Sequence, residues 1–529
     1  MTIFSFLGFT LLVAILSYFY TRKTDETSSE GYFLGGRSLT AGVIAGSLLL
    51  TNLSTEQIVG LNGQAYTEGI LVMAWETLAA MAMVVTAVFL LPRYLKGGIT
   101  TVPQFLESRY DKTTKTIASI LFLSGYVVVL LPIVLYSGSL AIVTMFDVPQ
   151  AFGISHTTAL WLCVWGIGII GSVYAIFGGL KAVAVSDTIN GIGLMIGGLL
   201  IPIYGLMHIG NGSIGTGLAT LLREAPEKFN SIGGPDATVP FGTIFTGMML
   251  VQLFYWGTNQ AIIQRALAAR DLKEGQKGLL LAAFFKILGP LIVVLPGVIA
   301  FYIFKGELEI PDQAYPKLVK EVLPLGLVGF FAAVLFGAIL SSFNSALNSS
   351  VTLFGLDVYK AYINKDADDK TVVRYGKLFG IFLAIMSMFI APLIAYAPDG
   401  LFGYLQEVNG CYSIPILTII VVGYLTKYVP ALAAKVGIIS GVVLYSISQF
   451  ILKPFVFGND NYPHFLHVMA ILFVLNVGIM LLIGRMKPRT EAFELTYTEK
   501  VDITPFRYVK QFGWAICFVV VAIYIYFAQ

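Results

Sequence analysis

Long apolar stretches, separated by short polar connections, run through most of the chain. A helix needs about 20 mostly apolar residues to cross the hydrocarbon core of a bilayer. Strand signals are absent, and no hydrophilic segment is long enough to form a separate soluble domain. We therefore predict an all-α polytopic membrane protein with one membrane domain over residues 1–529. Its fourteen predicted transmembrane segments are 1–20, 41–66, 70–92, 114–146, 157–177, 183–208, 239–263, 279–304, 325–352, 374–396, 402–426, 430–452, 463–484 and 512–528.

Two of these segments carry polar clusters at their midpoints. The second contains Thr51, Asn52, Ser54, Thr55, Glu56 and Gln57, and the seventh contains Gln252, Tyr255, Trp256, Thr258, Asn259 and Gln260. Segments five apart cross the membrane in opposite directions. The clusters therefore predict two inverted five-helix repeats, each opening with a discontinuous helix. The predicted parts are an extra helix and loop (1–40), repeat one (41–208), repeat two (239–426) and extra helices (430–529).

Composition and charge support a membrane protein. Hydrophobic residues make up 57% of the chain and charged residues 12%, whereas a soluble domain carries about 25% charged residues. The chain has no long run of basic residues, so nothing in its charge pattern indicates a nucleic-acid partner. Cys163, Cys411 and Cys517 lie in or beside apolar stretches, so a disulfide framework is not expected. The first twenty residues lack a basic start and a small-residue cleavage site, which favours a retained helix over a signal peptide.

The distribution of Lys and Arg predicts the orientation. With both termini outside, the cytoplasmic connections hold 26 of the 33 basic residues and the external ones hold six. Cytoplasmic loops of membrane proteins are enriched in Lys and Arg. We therefore predict a multi-pass protein of a bacterial-type cytoplasmic (plasma) membrane with both termini outside.

Five motifs, in order, carry a resemblance to a known family. They are YFLGGRSL at 32–39, NLSTEQ at 52–57, YAIFGGLKA at 174–182, YWGTNQAIIQRALA at 255–268 and SSFNSALNSS at 341–350. The chain resembles the solute:sodium symporter family, and the fourth motif is similar to its sodium/glucose cotransporter branch. The resemblance covers nearly the whole chain. It implies the inverted-repeat, leucine-transporter-like fold.

The resemblance also implies a Na⁺ site between the first broken helix and segment nine. Its ligands would be the hydroxyls of Ser341 and Ser342 and the carbonyls of Leu50, Leu53 and Ala338. Without the resemblance, Ser341 and Ser342 are explained equally well as small residues that allow two helices to pack closely.

Some relatives have a second sodium site with an aspartate and further serines. Asp187 and Ser345 are present, but residue 344 is Asn, so one Na⁺ per solute is expected. Asp187 could mark a cation pathway to the cytoplasm or simply cap its helix.

A solute site follows from the same resemblance. Charged residues inside a membrane are costly and are usually functional or paired, and Glu76 and Lys286 lie within segments three and eight. The implied solute-binding residues are Asn52, Gln57, Glu76, Gln252, Tyr255, Trp256, Lys286 and Gln406. Tyr255 is the implied inner gate, its ring stacked on a sugar. Structural hydrogen bonds, snorkelling of Lys286 and ordinary aromatic packing are the competing explanations.

These observations predict sodium-coupled import of a sugar or sugar-like neutral solute, with Na⁺, the solute and the bilayer as partners. No enzymatic activity and no obligatory protein partner are expected. DKTTKT at 111–116 lacks the glycine of a pump phosphorylation motif, and no phosphate-binding loop occurs, so an ion gradient must supply the energy. The alternatives are symport of a sugar acid, amino acid or carboxylate, and a solute sensor that does not transport.

Overall fold

The structure is a computed structural model, and the regular secondary structure of the residues that it describes is helical. These are residues 28–309, 311–396, 401–458 and 461–528, with only residues 8, 11–13, 15, 16 and 19 of the first predicted segment. Most of that segment lies outside the described residues. Among the described residues there is no β-strand, and one isolated bridge pairs Leu39 with Ala269.

The helices of the first half cover the predicted segments from the second to the sixth and include three short helices in the connections. They are α1 (Ser29–Leu34), α2 (Ala41–Asn52), α3 (Thr55–Glu68), α4 (Ala74–Val85), α5 (Leu91–Lys96), α6 (Val102–Arg109), α7 (Lys112–Gly125), α8 (Leu131–Met145), α9 (Val148–Phe152) and α10 (His156–Ile209). Single π-helical turns at Thr86–Leu90 and Tyr126–Leu130 join α4 to α5 and α7 to α8.

The second half begins after a connection that contains one further helix. These helices are α11 (Ile214–Glu224), α12 (Met249–Gly257), α13 (Gln260–Leu267), α14 (Leu272–Leu288), α15 (Pro290–Val293), α16 (Leu295–Ile303), α17 (Ala314–Val322), α18 (Leu325–Thr352), α19 (Asp369–Ile390), α20 (Leu401–Leu425), α21 (Ala431–Ile447), α22 (Phe465–Met486) and α23 (Val509–Tyr526). α18 and α21 continue as π-helical turns to Ile363 and Phe457.

Helix lengths do not reproduce the predicted count of fourteen spans. By length and composition, ten helices of the described residues qualify as spans, or eleven if the bent pair α14 with α15 and α16 counts as one. One of the ten is the 42-residue run Thr55–Lys96, which would be about 63 Å long if straight, twice the bilayer core. Gly69, with φ +82°, interrupts this run. The count of fourteen therefore stays a prediction.

The long helix α10 also cannot be straight. The side of α18 that holds Gly337 faces Asn190, and Asn344 faces Gly171. Gly337 and Asn344 are about 10 Å apart along α18, whereas Gly171 and Asn190 would be about 28 Å apart in a straight helix. The backbone of α10 therefore folds back between its two apolar parts, His156–Val173 and Val183–Ile209.

The connections predicted to be cytoplasmic gather on one side of the bundle, here called the basic face. Arg37 donates to the carbonyls of Leu267 (2.8 Å) and Gly98 (3.1 Å). Arg109, which is fully buried, donates to the Val429 carbonyl at 3.0 Å, and Arg489 donates to the Arg109 carbonyl at 2.6 Å. These bonds join five of the connections that the charge count placed on the cytoplasmic side.

Candidate solute and sodium sites

Both predicted broken helices are interrupted at their polar clusters. α2 ends at Asn52 and α3 begins at Thr55. The backbone N–H of Ser54, which an unbroken helix would direct to the Leu50 carbonyl, donates instead to the Asn52 carbonyl at 2.7 Å. The break therefore releases a midplane carbonyl from the α2 ladder.

The second break lies between α12 and α13, at Thr258 and Asn259. The Asn259 side chain caps α13 by accepting from the Ala261 N–H at 3.0 Å, and it also accepts from the Tyr126 hydroxyl at 2.8 Å. Side chains thus satisfy backbone groups that the interruption leaves without helical partners.

A buried polar cluster joins four helices beside the first break. Lys286 of α14 forms an ion pair with Glu76 of α4 at 2.5 Å, and their side chains are 1% and 0% exposed. Lys286 also donates to Asn52 of α2, and Gln57 of α3 donates to the second carboxylate oxygen of Glu76. Two opposite charges and two amides thus form one connected and nearly neutral unit.

A second polar contact lies on α12. Gln252 donates to the Trp75 carbonyl at 2.9 Å and accepts from the indole N–H of Trp256 at 3.1 Å. The Trp256 ring is fully buried and lies 5.6 Å from the Lys286 ammonium. Trp256 therefore supports both Gln252 and Lys286.

A small cavity of about 60 Å³ lies against this cluster. Its lining residues are Asn52, Glu56, Gln57, Trp75, Leu130, Val251, Gln252, Tyr255, Leu405, Gln406 and Asn409. Of the eight predicted solute residues, Glu76, Trp256 and Lys286 lie behind the wall. Pockets for drug-sized ligands measure about 300–1,000 Å³, so this cavity is smaller than such pockets.

Two polar lining residues were missed by the sequence reasoning. Glu56 directly precedes Gln57 in the polar cluster of segment two, and one of its carboxylate oxygens is buried without a hydrogen-bond partner. Asn409 lies three residues after Gln406, a spacing that places both on one helix face. That spacing was the available signal for Asn409.

Tyr255 lines both this cavity and a second one of about 50 Å³. Both cavities share Leu130, Val251, Tyr255, Gln406 and Asn409. The second cavity continues past the break to Asn259, from which α13 leads to the basic face. The ring is thus placed between the candidate solute site and the basic face.

Ser342, one of the predicted sodium ligands, contacts the first break from α18. Ser342 donates to the Thr51 carbonyl at 3.0 Å, while the Ser341 hydroxyl is buried without a hydrogen-bond partner. Leu50, Leu53 and Ala338, whose carbonyls are the other predicted ligands, are also buried. An unpartnered hydroxyl and a carbonyl released from its helix are hard oxygen donors, which suit Na⁺. No cluster of three or more His, Cys, Asp or Glu side chains competes as a metal site in the described residues.

Asp187 lies inside α10 and does not cap it. Its carboxylate is 1% exposed, and it accepts from the hydroxyls of Ser47 (2.8 Å) and Thr51 (3.4 Å). It also lies 3.7 Å from the guanidinium of Arg265, a buried residue of α13 that the sequence reasoning did not assign. The Ser341 hydroxyl is near enough to Asp187 to interact with it.

The family model of the sodium:solute symporter family matches residues 32–441. The chain belongs to this family. The resemblance read from the five motifs is therefore confirmed, and this symporter is a sodium-using membrane transporter rather than an enzyme.

Curated relatives agree with this assignment. The symporter is 50% identical over 522 residues, 99% of its own chain and 90% of the relative, to a protein of Escherichia coli (strain K12) called the uncharacterized symporter YidK. It is 34% identical to the sodium/glucose cotransporter of Vibrio parahaemolyticus, covering 80% of this chain and 79% of the relative. It is 28% identical to sodium/myo-inositol cotransporter 2 of Oryctolagus cuniculus, covering 93% and 78%.

Solved structures share the fold. A Na⁺-coupled sialic acid symporter, in a substrate-bound outward-open state, superposes with a TM-score of 0.76 at 19% identity, covering 92% of this chain and 98% of the other. Mhp1, a nucleobase-cation-symport-1 family transporter in a closed conformation, gives 0.56 at 14% identity, covering 90% and 97%. The predicted leucine-transporter-like fold is thereby confirmed.

Proposed function

We propose that this symporter imports a sugar or sugar-like neutral solute together with one Na⁺. The observation that carries the proposal is the buried cluster of Asn52, Gln57, Glu76 and Lys286, of which the two amides line the cavity and the two charged residues lie behind its wall. A polyol presents donors and acceptors in several directions, and this cluster offers both from four helices. Relatives named as sodium/glucose and sodium/myo-inositol cotransporters support the same class.

The charge balance of the cluster argues against an anionic solute. An unpaired Lys286 would favour a carboxylate, but its ammonium is already paired with Glu76 at 2.5 Å. Burying a carboxylate beside a neutral cluster would leave one charge uncompensated, which is costly. The sugar acid, amino acid and carboxylate alternatives therefore rank below a neutral polyol.

The proposed cycle uses alternating access. Na⁺ enters from outside and binds at Ser341, Ser342 and the carbonyls of the broken α2, which favours the outward-open state. The solute then binds against Gln57 and Gln406 and is enclosed. Displacement of the Tyr255 ring opens the route along α13, and both solutes leave at the basic face, which we assign to the cytoplasm with both termini outside.

Binding to the purified symporter tests the solute class. Hexoses, inositols, sugar acids and amino acids are titrated in Na⁺, and tryptophan fluorescence reports binding. Each lost hydrogen bond costs about 0.5–1.5 kcal/mol, so Gln57→Ala should weaken sugar binding by roughly 2- to 12-fold. Glu76→Ala should weaken it further, because it leaves Lys286 unpaired. The matched control is Gln449→Ala, a buried glutamine of the π-helical stretch Ser448–Phe457 that does not line the cavity.

The same titration can distinguish sugars from one another. Gln252 stands where the best-known sugar carriers are expected to have asparagine. Gln252→Asn should therefore shift preference toward glucose or galactose. Binding of a carboxylate with no response to any neutral sugar would refute the proposed solute class.

A further inference from the structure

The guanidinium of Arg265 is buried beside the candidate sodium site. Its side chain is 0% exposed, on α13 just past the second break. Nε donates to the Ser47 hydroxyl at 3.0 Å, Nη1 donates to the Ala261 carbonyl, and Nη2 donates to the Ser345 hydroxyl and lies 3.7 Å from Asp187. The contacts tie α13 to α2, α10 and α18.

The oxygens around Arg265 continue directly into the candidate sodium site. The Ser345 hydroxyl donates to the Ser341 carbonyl at 2.6 Å and lies 3.2 Å from the Thr51 hydroxyl. Oδ1 of Asp187 and the hydroxyl of Ser341 are both buried without a close hydrogen-bond partner, although the two side chains are near enough to interact with each other. One side of Asp187 thus meets a fixed cation, and unsatisfied oxygens remain close to the place where Na⁺ is proposed to bind.

A buried carboxylate needs one compensating positive charge, and two cations beside it repel each other. We propose that Arg265 is a tethered cation that alternates with Na⁺ in neutralising Asp187. Arg265 pairs with Asp187 when the sodium site is vacated and yields as Na⁺ approaches. The inference rests on the proposed Ser341 and Ser342 site, but not on the identity of the solute.

The alternation of Arg265 and Na⁺ at Asp187 would couple Na⁺ binding to α13, the helix that lies along the proposed route to the basic face. Just beyond α13, two backbone hydrogen bonds join the chain to Leu39. The Ala268 carbonyl accepts from the Leu39 N–H at 3.2 Å, and the Arg270 N–H donates to the Leu39 carbonyl at 3.1 Å. A change in the Arg265 contacts therefore acts on an element anchored at that face. Return of the guanidinium to Asp187 would also oppose rebinding of a released Na⁺.

Equilibrium binding of ²²Na⁺ to the purified symporter, without any solute, tests the inference. Arg265→Gln removes the competing cation and should lower the Kd for Na⁺ by about tenfold or more. Asp187→Asn leaves the guanidinium unpaired and should raise that Kd by about tenfold or more. The double variant, with both charges removed, should return to within roughly threefold of the unmodified symporter.

A purely structural ion pair would give a different pattern. Both single variants would then weaken Na⁺ binding, and that common direction would overturn the inference. Should Arg265→Gln fail to fold, an unchanged or lower Kd for Asp187→Asn would overturn it equally. The matched control is Arg109→Gln, because Arg109 is also fully buried but bonds the α20–α21 connection at the basic face. Its Kd should not change.

Transport rates supply an independent readout. In Arg265→Gln the half-saturating Na⁺ concentration and the maximal uptake rate should both fall, because Na⁺ is retained beside Asp187. Arg265→Lys keeps the positive charge. Its Kd for Na⁺ should therefore lie closer to that of the unmodified symporter than its maximal uptake rate does. A rise in half-saturating Na⁺ would contradict the inference. If Ser342→Ala leaves ²²Na⁺ binding intact, the proposed site itself fails, whatever the Arg265 variants do.

Discussion

The ion pair between Lys286 and Glu76 gives the most direct test of the buried cluster. Glu76→Gln keeps the side-chain volume but removes the negative charge beside a lysine that is 1% exposed. Breaking a buried pair by removing one partner costs about 3–5 kcal/mol, because the remaining charge is left uncompensated in a low dielectric. We therefore expect the free energy of unfolding to fall by about that amount.

Unfolding in mixed detergent–SDS micelles, followed by tryptophan fluorescence, measures this loss. The double variant Glu76→Gln with Lys286→Met removes both charges and should recover at least half of it, since no lone charge remains. The control is Asp147→Asn, which breaks a pair of similar length, 2.6 Å to Lys320, whose side chains are 53% and 38% exposed. That variant should cost less than about 1 kcal/mol.

Two results would refute this reasoning. The first is a free energy of unfolding of Glu76→Gln that lies within about 1 kcal/mol of the value for the unmodified symporter. A loss that small is what breaking an exposed ion pair would cost. Alternatively, the double variant could be no more stable than the single one. In either case Lys286 and Glu76 would not form a charged pair within the buried cluster, and the neutral-cluster argument for a polyol would lose its basis.

Three further predictions concern ions and gating. Ser342→Ala should abolish sodium-driven uptake in a folded protein, and unchanged sodium dependence would remove the site assignment. Asn344, in place of a serine ligand, predicts one Na⁺ per solute; a reversal-potential measurement that gives two would contradict it. Tyr255→Ala should join the two cavities and raise solute efflux from preloaded vesicles at least several-fold, whereas an unchanged efflux rate would exclude Tyr255 as a gate.

Hydrophobic patterning was enough to predict the membrane class and the long apolar helices, but not the short helices in the connections. The polar clusters around Asn52 and Asn259 also predicted where two helices break, because backbone groups at the midplane need polar partners. Patterning could not count the spans. Gly69, with its positive φ, interrupts the helical run Thr55–Lys96, and a single residue leaves almost no mark on an apolar profile.

The site was predicted in part, for similar reasons. Lys286 and Glu76 stand out because charges are rare inside apolar segments. Arg265 did not, because it lies near the predicted end of its segment, where a basic residue is ordinary. Its pairing with Asp187, 78 positions earlier in the chain, is a tertiary contact that only the packing of α13 against α10 reveals.

Uptake into proteoliposomes tests the central claim most directly. The purified symporter is reconstituted and given an inward Na⁺ gradient, and accumulation of a labelled hexose or inositol is followed. We predict accumulation above the external concentration with Na⁺, none with K⁺ alone, and none for Ser342→Ala. Equal uptake with and without the Na⁺ gradient, or accumulation of a carboxylate but of no neutral sugar, would contradict the account.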